Sequence, residues 1–158
     1  MAGLLLLVTV TVLYAGYNLL IKVSSSHVPA AATSTIVATI CLQVAALMTS
    51  IVFVSIAMAR GGHVLQLSWG AYLWAAAAGL CIGGAEIAYF YLFGGIGTMK
   101  PMTANLVIPT VVSGTIVITV IAAYFIFSET LALIQLAGLG CIIIGVLLLY
   151  FGKDLALG

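Results

Sequence analysis

A single carboxylate stands inside an otherwise apolar run. Glu86 lies within Gly83-Gly84-Ala85-Glu86-Ile87-Ala88-Tyr89, and a charged side chain at the centre of a membrane helix costs ~2.5–3.5 kcal/mol to insert. Residues that carry this cost usually face a pathway or a partner. An acid in that place can bind and release protons or hold a cation; the bland alternative is a hydrogen-bonded acid that only fixes packing. The first apolar run carries Tyr14, Asn18 and Lys22 at i, i+4 and i+8, with Tyr17 beside them, a spacing that aligns the three along one helical face. Lys22 can snorkel to the interface, whereas Asn18 is deeper and needs a partner. Thr35, Thr39 and Gln43 repeat the pattern in the second run. Such stripes either line a polar cavity or hydrogen-bond neighbouring helices. For the threonines a bond to their own helix backbone is the simpler role.

Asn105 and Pro109 form another candidate. Proline has no amide hydrogen, so the carbonyl of Asn105 loses its helical partner. A bare carbonyl beside a side-chain amide suits a cavity wall, as in the broken helices of transporters; a packing kink, which membrane helices tolerate, is the alternative. Ser113 continues that face. Two glycine patterns concern assembly: Gly79 and Gly83 four apart, and Gly138 and Gly145 with Cys141 between them. Both let another backbone come close, within the chain or from a second copy. Cys41, Cys81 and Cys141 each fall in an apolar run and match no metal motif, so they read as small buried hydrophobes. His27 and His63 read as solvated loop residues. No nucleophile–base pair, phosphate-cradling loop or metal cluster is apparent. Neither an enzyme nor a cofactor or metal protein is expected, and a lipid-acting enzyme would need a second intramembrane acid or a histidine.

The elements that position these residues follow from composition. Of 158 residues 65% are hydrophobic and 4% charged, so the chain cannot clothe itself for water and its solvent must be a lipid bilayer. In hydrocarbon the backbone must be internally paired, as in helices or a closed barrel. The apolar runs are continuous and long rather than alternating, which selects an all-α integral membrane protein. Five spans are expected, at about 3–23, 31–59, 68–93, 102–127 and 130–151, forming one domain over 1–158. Ser24 to Pro29 reads as a polar linker, with Pro29 in the first turn of the next helix. Ser68 reads as an N-cap, with Trp69, Tyr72 and Trp74 as an interfacial belt. Arg60-Gly61-Gly62-His63 and Gly94 to Pro101 read as breaks. Ser128-Glu129 is expected to cap the fifth helix, its acid suiting a helix N-terminus. Lys22, Lys100 and Lys153 fall on one side and Arg60 on the other, a weak bias toward an external amino terminus. The net charge of +1 offers no footprint for nucleic acid, and the first run lacks the basic flank of a signal peptide.

The stretch from about Ala85 to Leu149 resembles the second part of an EamA-type unit of the drug/metabolite transporter superfamily. The matching residues are Tyr89-Phe90-Tyr91-Leu92-Phe93, Ile108-Pro109, Ser128-Glu129-Thr130-Leu131, Gln135-Leu136-Ala137-Gly138 and Ile144-Gly145-Val146-Leu147-Leu148. The first span, with Asn18 and Lys22, resembles the family's opening helix. The resemblance implies a five-helix unit that pairs, as a dimer, to carry a drug or metabolite by alternating access, in efflux or uptake. Gly138 and Gly145 resemble the dimer strip of the four-helix small multidrug resistance proteins. Those proteins carry a glutamate in their first helix where alignment on Lys22 puts Tyr14, so Glu86 would have to substitute from the third helix. Glu86, Tyr14, Asn18, Gln43 and Asn105 are then the expected lining for substrate or proton. A prokaryotic inner membrane is the expected location. The alternative is a non-transporting membrane subunit or scaffold.

Overall fold

The computed structural model describes residues 1–61 and 66–155, without the side chains of 153–155. The described residues form five helices: α1 (Ala2–His27), α2 (Ala32–Ala59), α3 (Trp69–Gly94), α4 (Ala104–Phe127) and α5 (Leu133–Leu155). All five are long and apolar enough to cross a membrane. The described residues contain no β-strand beyond one isolated bridge, between Ile96 and Met99. Large apolar side chains stay uncovered, among them Trp69 at 81% and Leu133 at 86% exposure. A multi-pass integral membrane protein is the fold these features describe, since such faces are matched by acyl chains rather than by water.

The chain divides into two compact units, Met1–Pro101 and Met102–Gly158. In the first, α3 packs against both α1 and α2. The Tyr91 hydroxyl donates to the Ala32 carbonyl at 3.2 Å, tying the last turn of α3 to the first turn of α2. A Cβ on Gly94 would come within 4.0 Å of the Ser25 carbonyl. The C-termini of α1 and α3 and the N-terminus of α2 therefore share one end. Ile21, Tyr89, Phe90 and Phe93 form the apolar core of this unit. In the second unit α4 packs on α5.

Helix ends explain where the structure departs from expectation. Ser24 to His27 belong to α1 rather than to a linker. Short polar side chains read as loop formers because they compete for backbone groups. Here they bond back into the helix they end: Ser25 Oγ donates to the Lys22 carbonyl at 2.9 Å and Ser26 Oγ to that of Val23 at 2.6 Å. His27 Nδ1 lies 2.9 Å from the Val23 carbonyl, so this histidine ends a helix and is not a loop residue. Pro29 precedes α2 instead of entering its first turn, and its carbonyl accepts from Ala31 N at 2.7 Å.

Ser128-Glu129 ends α4 and does not begin α5. Ser128 adopts the left-handed conformation at φ 54, and the amides of Ser128 and Glu129 return to the Ala123 carbonyl. The fifth helix starts later, at Leu133, where Gln135 Oε1 accepts from Ala132 N at 2.8 Å. A glutamine reaching back to an unpaired amide satisfies the same need an acidic cap would. Ser68 does act as an N-cap, its side chain accepting from Ala71 N at 3.3 Å. The break after α3 is a tight loop closed by paired hydrogen bonds between Ile96 and Met99. Gly95, at φ 79, has no room for a Cβ, which would lie 2.7 Å from the Met99 carbonyl. The expected solvated His63, with Gly62, lies outside the described residues.

Candidate functional site

Two of the buried polar side chains of the first unit, Asn18 and Glu86, lie at one level. Asn18 lies nine residues before the end of α1, and Glu86 eight before the end of α3. At 1.5 Å per residue both sit ~12–14 Å in from the same end of the unit. Each helix has 26 residues, so this level is nearer that end than the half-length of ~20 Å. Asn18 is 8% exposed and Glu86 5%. Three residues on from Glu86, on the same face, Tyr89 is 6% exposed.

The carboxyl of Glu86 interacts across the helix interface with the hydroxyl of half-buried Tyr17 on α1. Phenol to carboxyl is a strong pairing when the acid is ionised. It leaves the second carboxyl oxygen, Oε2, with no partner among the described residues, and the Tyr89 hydroxyl is likewise buried and unpartnered. Two orphaned polar atoms, on buried side chains three residues apart on α3, are costly and call for an explanation. Below them the aromatic layer continues: Tyr89 and Phe93 have ring centroids 4.9 Å apart, and Lys22 Nζ lies 5.2 Å from the Phe93 centroid. Lys22 is thus half-buried over an aromatic face, a favourable place for an ammonium.

The remaining expected residues distribute as follows. Gln43 is largely exposed, but its Nε2 would stand 3.1 Å from a Cβ on Gly83. Gly83 is therefore a close approach between α2 and α3 inside the chain, covered by the Gln43 amide. Tyr14 sets its ring edge against Tyr17, centroids 6.1 Å apart, and is 61% exposed. It borders the buried group without being part of it. Asn105 is exposed on α4, in the second unit. Pro109 is half-buried inside α4, which continues through it. Cβ atoms on Gly79, Gly138 and Gly145 would meet nothing within 4 Å, so the described chain does not use these glycines for close contact. Thr35 and Thr39 are buried, and each hydroxyl donates to the carbonyl four residues back. Cys41, Cys81 and Cys141 are all exposed rather than buried, and Cys41 lines a groove between α1 and α2.

Two site residues are new from the structure, Tyr17 and Tyr89. Tyr89 carried a signal in its i+3 spacing from Glu86. Tyr17 lies off the 14/18/22 stripe, and only the packing of α1 on α3 aims it at Glu86. Tyr17 also borders a groove of about 610 Å³ between α1 and α2, walled by Leu13, Leu20, Ala38 and Leu42 and floored by Phe90. The Tyr17 phenol thus stands between an apolar groove and a buried acid. Among the described residues no three His, Cys, Asp or Glu side chains cluster as metal ligands would. The chain matches no family model, no curated protein and no solved structure.

Proposed function

We propose that this protein is a small-molecule transporter of a prokaryotic inner membrane, an EamA-like unit of the drug/metabolite transporter superfamily that pairs to work by alternating access. The observation that carries the reading is the enclosed group Glu86, Tyr17, Tyr89 and Asn18, set inside a membrane unit beside an apolar groove. A packing role would be served at lower cost by apolar residues of equal volume. A retained acid with an adjustable hydrogen-bond partner suits a group that gains and loses a cation during a cycle. Coupling runs through Glu86, where a proton is the simplest occupant.

Reconstitution tests this. Vesicles carrying the purified protein and an internal pH-sensitive dye are offered a panel of radiolabelled metabolites and lipophilic dyes. Uptake of at least one compound above protein-free vesicles, with its pH dependence altered in Glu86→Gln, is the expected result. Unchanged uptake and pH dependence in that variant would remove Glu86 from the mechanism. The scaffold reading has one observation in its favour: none of the residues Leu133–Gly152 of α5 is buried, as in a helix awaiting a partner. Absence of any uptake, together with co-purification of a second membrane protein, would favour it.

A further inference from the structure

Two grooves of the first unit run into one another. The α1–α2 groove of about 610 Å³ shares Ala38 and Cys41 with a second, of about 410 Å³, walled by His27, Pro29, Thr33 and Ser34. On α1 the wall is Leu13, Tyr17, Leu20, Ser24 and His27, alternately four and three residues apart and so on one face. On α2 it is Ser34, Ala38, Cys41 and Ala45, small at every step, which keeps the groove open. Leu13 and His27 are 14 residues apart, ~21 Å of helix. One leaflet with its headgroups is about as deep, ~20–22 Å, half of a bilayer. The lining changes along that depth. Leu13, Leu20, Leu42 and Phe90 lie on the inner part, and Ser24, His27, Thr33 and Ser34 on the outer, at the end where α1 gives way to α2. A molecule that matches it is apolar for most of its length and polar at one end. The same end of the unit carries Lys22, His27 and, after α3, Lys100, whereas the one carboxylate of the unit, Glu86, is buried further in. An anionic polar group is the complement of that charge. Over the ~17 Å from Leu13 to Ser24 the inner groove averages ~40 Å² in section, well under the ~80–110 Å² of a helix 10–12 Å across. A second helix does not fit within it; an extended hydrocarbon chain does.

We propose that the α1–α2 groove binds one acyl chain of an anionic phospholipid of the surrounding bilayer, with its phosphate at the His27 end. A chain gains little by leaving one hydrocarbon surrounding for another. The hold therefore comes from the charged end and from close packing of the chain against α1 and α2. Tyr17 both lines the groove and interacts with Glu86, so a lipid lying there touches the residue that pairs with the buried acid. The site needs the membrane setting and not the transporter reading, because binding is measurable without transport.

Photo-crosslinking of the full chain in phosphatidylcholine vesicles tests the site. The probe is a small fraction of palmitoyl phosphatidylglycerol with a diazirine near the middle of its chain, and adducts are mapped by peptide mass spectrometry. In the wild-type chain adducts should concentrate on Tyr17, Leu20, Cys41 and Leu42, and should be fewer with the matching phosphatidylcholine probe. Ala38→Phe, which fills the groove where its two parts join, should lose them. Ile40→Phe, on α2 but not among the groove residues, should keep them. Wild-type adducts spread evenly over the exposed faces of all five helices would show ordinary surrounding lipid and overturn the proposal. Equal labelling by the two probes, or adducts kept in a folded Ala38→Phe chain, would overturn it as well. A dimer trapped through Cys41 as the single cysteine, with no lipid adduct on the groove, would give this face to a second copy instead. Groove adducts without uptake of any compound would leave the lipid site standing and sink the transporter reading.

Discussion

Glu86 was conspicuous in the sequence because an acid in an apolar run carries an energetic penalty that composition alone exposes. Its surroundings were not. The structure sets Tyr17, from another helix, against it and leaves its second oxygen without a partner among the described residues. Two predictions belong at this scale. Glu86→Gln keeps the volume and the hydrogen bond but loses the exchangeable charge. It should fold with Tm within a few degrees of wild type and reduce coupled transport at least ~10-fold, the size of a lost charge-assisted contact; vesicle uptake and circular dichroism together check this. Tyr17→Phe removes the hydroxyl that interacts with the acid and leaves ring packing intact. A loss of ~1 kcal/mol in either stability or transport, no more than about tenfold in rate, is expected. A full loss equal to that of Glu86→Gln would show that Tyr17 handles the transported ion itself.

At the scale of elements, helix ends and one helix contact decide the geometry. Gly95→Ala would place a side chain at φ 79 and ψ 159, a conformation essentially reserved for glycine, and drive its Cβ to 2.7 Å from the Met99 carbonyl. Strain of ~1–2 kcal/mol from the backbone alone, with the overlap added, should lower Tm by several degrees. Gly83 separates two effects. Gly83→Ala gains ~1 kcal/mol of helix propensity and asks only that the flexible Gln43 amide shift by a few tenths of an ångström, so it should be near neutral. Gly83→Leu cannot be accommodated that way and should cost ~1–3 kcal/mol by prising α2 from α3. Unfolding melts of both variants check the contact, and equal stability of the two would show that α2 and α3 do not approach there. Polar residues misled the sequence reading at the ends of two helices, α1 and α4. Ser25, Ser26 and His27 bond backward into α1, and Glu129 closes α4 instead of opening α5. Side-chain type marks a helix end, but the choice between ending one helix and starting the next is made by backbone angles such as φ 54 at Ser128.

At the scale of the whole molecule, the helices present far more apolar surface than they bury. Cβ atoms on Gly138 and Gly145 of α5 would meet nothing in the described chain, and Cys141 between them is exposed. In a chain retaining Cys141 as its one cysteine, oxidative crosslinking in native membranes should trap a dimer, because Cys141 lies near the middle of α5 and would meet its counterpart. A monomer alone under those conditions would move any self-association to another face. Labelling of single cysteines from each side of the membrane then fixes orientation, and labelling of every loop from both sides would establish an antiparallel pair. By itself the sequence determined the solvent, the helical class, the existence of five spans and the identity of the costly residues Asn18 and Glu86. These follow from hydropathy, length and the expense of burying polar groups, all of which are local. Only tertiary structure decided which of those residues share a site. The α1–α3 contact joins Tyr17 to Glu86 and buries Asn18 but leaves Tyr14, one turn earlier on the same stripe, exposed, because how far along a helix its neighbour covers it is set by packing and not by spacing.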